Sequence, residues 1–249
     1  MDAAAGCCCA SALNPYRGNF VQPPAVPAPR YVFLDAFWQQ QIVKAVAPCG
    51  VLSVYASSRL SPDSDEGRRA ERFARLWAEA RPDVPVLTGG GPGLMTAVNR
   101  GAAAARTSPS MGFNAYLNAG ANTGPDQQLN AFVTPGAGRV NTDFDTRERG
   151  LFRYARGFVA FDGGFGTTGE LLLTLSGMSA GVYRAAPIVV ASAKLYAALQ
   201  PLFAYFVLEG TASAADVARV RLIEEPRGMV AYLSANIGAP PFPPPAGTG

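Results

Sequence analysis

Apolar positions along the chain fall into two alternating rhythms, short continuous runs and helical faces. Val51 to Ala56 is an apolar run that ends in Ser57-Ser58-Arg59, and it predicts a first strand. Glu66 to Ala80 sets Ala70, Phe73, Ala74 and Trp77 on one helical face. Val84 to Thr88 predicts a second strand, which runs into Gly89-Gly90-Gly91-Pro92-Gly93 and then a helix from Leu94 through Ala105. Ser110 to Asn114 predicts a third strand and Leu129 to Val133 a fourth. Next come a helix over Thr142 to Arg156, a strand over Phe158 to Phe161 and a helix over Thr167 to Gly177. Ile188 to Ala191, Lys194 to Leu208 and Val220 to Ile223 read as strand, helix and last strand, ahead of a short helix. Before all of these, Phe33 to Val46 has helical spacing and includes Phe37 and Trp38. It predicts a lead helix that packs on the domain or on a partner subunit.

Strands separated by helices predict an α/β fold, a single Rossmann-like domain over residues 29–237 with a doubly wound parallel sheet and flanking helices. Residues 1–28 and 238–249 are rich in Pro, Ala and Gly without periodicity and read as a flexible arm and tail. In such sheets ligands sit beyond the carboxyl ends of the strands, where the strand order reverses. The Ser57-Ser58 turn and both glycine turns fall at predicted strand ends of that kind.

Composition narrows the chemistry. At 249 residues and 49% hydrophobic, the chain can bury one sizeable core. A net charge of +3 with 16% charged residues is no polybasic surface, so nucleic acid is not an expected partner. Histidine is absent, which removes Ser-His-Asp and Cys-His catalysis and histidine-bearing zinc sites. Cys7, Cys8, Cys9 and Cys49 lack the spacing of a metal motif or a disulfide framework, and the triple run reads as exposed thiols in the arm. No leader pattern and no 18-residue apolar run is seen, so the expectation is a soluble cytoplasmic protein without a membrane partner.

Phe161-Asp-Gly-Gly-Phe-Gly-Thr-Thr-Gly-Glu170 carries the most chemical information. Three glycines in four positions, two threonines and a carboxylate describe a strand, a tight turn and a helix start. Free N–H groups at that start favour an anion, and Glu170 is expected in the first turn beside it. The earlier run from Thr88 to Met95 is a second such turn, although crowding at a strand–helix junction explains its glycines equally well. It is not a dinucleotide fingerprint, because the glycine spacing differs and no acid follows at a strand end about 20 residues on. In Thr146-Arg147-Glu148-Arg149, Arg147 shares a helix face with Gly150 and Leu151 while Arg149 points elsewhere. A guanidinium there suits a phosphate or a purine edge, although a solvated charged helix is the commoner outcome.

These motifs resemble the Lonely-guy family of cytokinin riboside 5′-monophosphate phosphoribohydrolases, often mislabelled lysine decarboxylase. Thr88-Gly-Gly-Gly-Pro-Gly-Leu-Met95 with Asn99-Arg-Gly-Ala102 is similar to the family's first signature, and Gly163-Gly-Phe-Gly-Thr-Thr-Gly-Glu170 to its second. Val54-Tyr-Ala-Ser-Ser-Arg59, Ser110-Met-Gly-Phe-Asn114 and the lead helix resemble the longer bacterial branch. The resemblance implies Arg147 and Glu170 as the catalytic pair. It implies Gly163, Gly164, Gly166 and Thr167 on the phosphate-binding turn, Gly90, Gly91 and Gly93 on the first turn, and Ser57 and Ser58 bordering the nucleotide. It also implies a homo-oligomer and no metal or other cofactor. Three positions depart from the pattern: Asp162 stands for a proline and brings a carboxylate toward a phosphate site, Glu148 stands for a lysine, and Gly169 for an acidic or polar residue. The implied reaction cleaves a nucleoside 5′-monophosphate, AMP-like or cytokinin-like, into free base and ribose 5-phosphate. Two alternatives stay open: the same cleavage of a modified nucleotide in a specialised pathway, and a non-catalytic nucleotide sensor or carrier. Pyridoxal-dependent lysine decarboxylation fits poorly, since Lys44 and Lys194 are the only lysines and neither lies in a glycine turn.

Overall fold

The computed structural model describes residues 29–115, 128–141, 144–238 and 240–241, with side chains from Leu34 onward. The expected arm over 1–28 lies outside the described residues, as does the tail except for Gly238, Pro240 and Pro241. In chain order the elements are α1 (Pro29–Val46), β1 (Val51–Tyr55), α2 (Asp65–Ala80), β2 (Val86–Thr88), α3 (Leu94–Ala105), β3 (Met111–Ala115), β4 (Gly138–Asn141) and α4 (Phe144–Arg153). They continue with β5 (Ala155–Ala160), α5 (Phe165–Ser179), β6 (Ile188–Val190), α6 (Ala193–Leu208), α7 (Ala214–Val217), β7 (Val220–Leu222) and α8 (Pro226–Asn236).

The strands form one parallel sheet in the order β4-β3-β2-β1-β5-β6-β7. Continuous apolar strands need cover on both faces, and two separate cores supply it. Tyr55, Phe158, Ala160, Ile188 and Val190 point to a core closed by Ile42 and Val43 of α1, Leu151 of α4, Leu171 of α5 and Phe203 of α6. Leu52, Val54, Val159, Phe161 and Val189 point the other way, onto Phe73 and Trp77 of α2, Val98 of α3 and Leu233 of α8. The alternation along β1, β5 and β6 is the two-residue pleat of a strand buried on both sides. Trp77, fully buried, still satisfies its indole N–H, which donates to the Val84 carbonyl at 2.8 Å. Side chains start the helices: Ser64 caps α2, Ser192 caps α6 and Glu225 caps α8 ahead of Pro226.

α1 packs within the chain through Asp35, Gln39, Ile42 and Val43, all buried, and leaves Leu34 and Phe37 exposed. Asp35 pairs with Arg139 of β4.

Three expectations are corrected. Leu129 to Val133 is not a strand; these residues make turns, and the fourth strand is Gly138–Asn141. Leu129 and Val133 instead fill hollows over Gly90, Gly112 and Gly138, where any Cβ would come within 2.7–2.8 Å of them. The helix expected over Thr142 to Arg156 ends at Arg153, because Ala155 already pairs with Val51 in the sheet. Cys49, in the turn after α1, is disulfide-bonded, which the cysteine spacing did not anticipate. Among the described residues, no helix is long and apolar enough to cross a membrane.

Candidate active site

β1 is the point where the strand order reverses. The chain moves outward through β2, β3 and β4, then returns to pair β5 on the other side of β1. The turns after β1, β2 and β5 therefore meet at one edge of the sheet. Ser57 ties them together: its N–H donates to the Asp162 carbonyl at 3.1 Å, and its carbonyl accepts from Leu94 N–H at 2.8 Å. The Ser57 hydroxyl is engaged in its own turn, accepting from the N–H groups of Arg59 and Leu60. Ser58 is exposed.

The two glycine turns differ in kind. After β2 the chain is crowded. Gly93 has φ +70°, and a Cβ there would come within 2.5 Å of the Ser57 carbonyl oxygen. Gly90, at φ +68°, would strike Leu129 and Gly112, and Gly91 would strike Met95. A buried network braces this turn from below. Asn99 accepts from the Thr88 hydroxyl at 2.7 Å and from Asn130 Nδ2 at 2.9 Å, and it donates to Ser110 Oγ and the Met111 carbonyl. The first N–H of α3 is taken by Ser57. This turn is built for packing.

After β5 the turn is open. A Cβ on Gly164, Gly166 or Gly169 would meet nothing within 4 Å, and Gly164 and Gly166 are exposed. No side chain caps α5, so the first N–H groups of this helix face outward unclaimed by any cap. Gly163 is the exception, because Thr167 occupies the place of its Cβ and is itself buried. Asp162 does not face the turn as expected. Its carboxylate accepts from the Ser192 hydroxyl at the start of α6.

Arg147 and Glu170 meet across the gap between α4 and α5. Arg147 Nη1 donates to Glu170 Oε1 at 2.5 Å, and Arg147 Nε donates to the Phe113 carbonyl of β3 at 3.1 Å. Their exposures are 8% and 5%. The guanidinium lies 5.4 Å from the centre of the Phe144 ring and directly over Gly89, whose missing Cβ would stand 2.0 Å from Nη2. Glu170 lies in the second turn of α5, since the helix starts at Phe165 and its first turn holds no acid. Thr174 fixes that turn: its hydroxyl donates to the Glu170 carbonyl at 2.8 Å, so the Tyr55 hydroxyl of β1 is the donor in the 2.7 Å contact to Thr174. Burial pushes the Glu170 carboxyl above the usual carboxylate range, and the charge and hydrogen bond of Arg147 oppose it. Half-buried Glu148 is also raised, first by burial and then by the charge of Glu170.

The predicted residues Arg147, Glu170, Gly163, Gly164, Gly166 and Thr167 thus share one edge with the Ser57 turn. Gly90, Gly91 and Gly93 shape that edge from beneath. Gly89 and Gln39 escaped notice. Gly89 sat unremarked within a glycine run, and Gln39 carries no sequence signal for its role. Its amide donates to Asn141 Oδ1 at 2.8 Å and to the Thr146 carbonyl at 3.0 Å, holding the start of α4 just before Arg147. Gly150 makes room for it.

A sequence search of curated proteins finds no match. Among solved structures, the molybdenum cofactor binding protein from the phototrophic bacterium Rippkaea orientalis is 16% identical with a TM-score of 0.51, covering 75% of this chain and 96% of its own. The Moco carrier protein from Chlamydomonas reinhardtii is 18% identical with a TM-score of 0.49, over 75% and 96%. At such identities the likeness to the Rippkaea protein is one of fold, an α/β Rossmann-like sheet. A family model described as possible lysine decarboxylase matches residues 95–233, a span that contains Arg147, the open glycine turn and Glu170. By that match the chain belongs to the possible lysine decarboxylase family, the domain family of the Lonely-guy proteins.

Proposed function

We propose that this chain hydrolyses the N-glycosidic bond of a nucleoside 5′-monophosphate, giving a free base and ribose 5-phosphate. The observation that carries this reading is the buried Arg147–Glu170 pair, joined at 2.5 Å beside the uncapped start of α5. The 5′-phosphate sits on the open N–H groups of α5, and its binding energy positions the sugar. As the C1′–N bond breaks, the base leaves with the bonding pair and gains a proton, and positive charge develops on the ribose. Glu170 faces that charge as a carboxylate and orients the water whose oxygen bonds to C1′, and the proton that water sheds balances the one the base gains. Arg147 holds the carboxylate in place and polarises the leaving side.

The activity in the family's descriptive name finds no support in these residues. Lys44 is exposed on the last turn of α1 and Lys194 on the first turn of α6, and Schiff-base chemistry needs a lysine in the site. A role in binding without turnover, of the kind named for the molybdenum cofactor binding protein of Rippkaea orientalis, leaves the desolvated Arg147–Glu170 pair without a purpose. The half-buried Glu148 carboxylate beside Glu170 favours one variant, cleavage of a nucleotide with a cationic or hydrogen-bond-donating base. Exposed Leu34 and Phe37 on α1 fit the same proposal's homo-oligomer, with that helix at the interface.

Chromatography of free base released from a panel of 5′-monophosphates tests the reading. We expect base release from at least one member, AMP or isopentenyl-AMP in the simplest case. Tight binding of the whole panel with no release would leave a carrier instead.

A further inference from the structure

A second feature lies at the opposite end of the sheet. A cavity of about 620 Å³ opens between the end of α4, the start of β5 and the segment that leads from α5 into β6. Arg149 and Arg153 line it from successive turns of α4, and Arg184 from the facing segment. Among the described residues none of the three is ion-paired to a carboxylate. Arg184 is nevertheless held, because its Nη1 donates to the Pro240 carbonyl at 2.8 Å. Tyr183 gives the cavity an aromatic wall, backed by the buried Phe152 ring, whose centre lies 5.8 Å from its own. Gly177 admits the Tyr183 ring, which lies where its Cβ would stand.

Three guanidiniums lining one cavity call for a ligand with several negative charges, since each offers a planar fork suited to phosphate oxygens. An aromatic wall beside them calls for a flat ring, and the volume is that of a small-molecule site. We infer that this cavity binds a nucleoside di- or triphosphate, with the phosphates on Arg149, Arg153 and Arg184 and the base against Tyr183. Neither Arg147 nor Glu170 lines it, so the site is distinct from the candidate active site and does not depend on the proposed hydrolysis.

Calorimetric titration of the full chain with ATP, and separately with inorganic tripolyphosphate, tests the inference on three proteins. These are the wild type, Arg153→Ser/Arg184→Ser, and Gly166→Asp, which sets a carboxylate on the α5 turn. We expect an ATP-binding event in the wild type that the double variant weakens at least about tenfold and that Gly166→Asp leaves unchanged. Tripolyphosphate, without a ring for the aromatic wall, should bind more weakly than ATP. The inference is overturned by ATP binding that survives loss of both arginines, by binding that Gly166→Asp abolishes, by tripolyphosphate binding as tightly as ATP, or by no ATP binding at all.

Discussion

Glu170→Gln should cut base release by roughly 10²–10⁴-fold while leaving nucleotide affinity within a few-fold of the wild type. The amide keeps the size of the carboxylate and an oxygen to accept from Arg147 Nη1, so the 2.5 Å contact to the guanidinium can persist in a neutral form. What disappears is the negative charge facing the ribose, and that charge acts only as the C1′–N bond breaks. The loss should therefore appear in kcat and not in KM. The pH profile adds an independent readout. Because burial raises the Glu170 carboxyl, the ionised form is lost as pH falls through a value above the ~4.3 of an ordinary glutamate. The acid limb of kcat/KM should lie correspondingly high in the wild type and vanish in Glu170→Gln. Glu148 is raised in the same direction, so Glu148→Gln serves as the control and should retain the limb. Unchanged turnover in Glu170→Gln would remove the carboxylate from the mechanism.

Gly166→Asp should have the opposite signature, a rise in KM of about 10–100-fold with little change in stability. A Cβ at this position meets nothing within 4 Å, so the side chain fits without moving its neighbours. A carboxylate in the first turn of a helix is favourable for the helix itself. It places like charge a few ångströms from a 5′-phosphate seated on α5, however, where repulsion of about 1.4–3 kcal/mol is expected at the edge of a protein. Thermal melting reports the fold and steady-state kinetics the phosphate seat. An unaltered KM would mean that the phosphate binds elsewhere.

The fold was legible where one element's residues decide its structure. Short, largely apolar runs such as Val51–Tyr55 and Ile188–Val190 are too short for a helix and suit a strand covered on both faces. β4 was not legible. Gly-Arg-Val-Asn carries one apolar side chain and lies at the sheet edge, while Leu129 and Val133 look like strand residues and serve as plugs over glycines. The start of α5 was misplaced by two residues. The Thr167 side chain folds back against Gly163, and the helix begins uncapped at Phe165.

The same division holds at the candidate site. Arg147 and Glu170 stood out through the resemblance of their motifs to the Lonely-guy signatures, and the structure brings them into contact. The direction of Asp162 was invisible, since it depends on Ser192, thirty residues on. The packing of Gly89 under the guanidinium and the grip of Gln39 on Thr146 depend likewise on partners distant in sequence.

One measurement bears most directly on the proposed chemistry: parallel assay of ribose 5-phosphate and free base from AMP, with adenosine as the matched substrate lacking phosphate. Equal amounts of the two products from AMP, with turnover of adenosine reduced by orders of magnitude, is the expected result. Cleavage of adenosine as fast as AMP, or base release without ribose 5-phosphate, would contradict it.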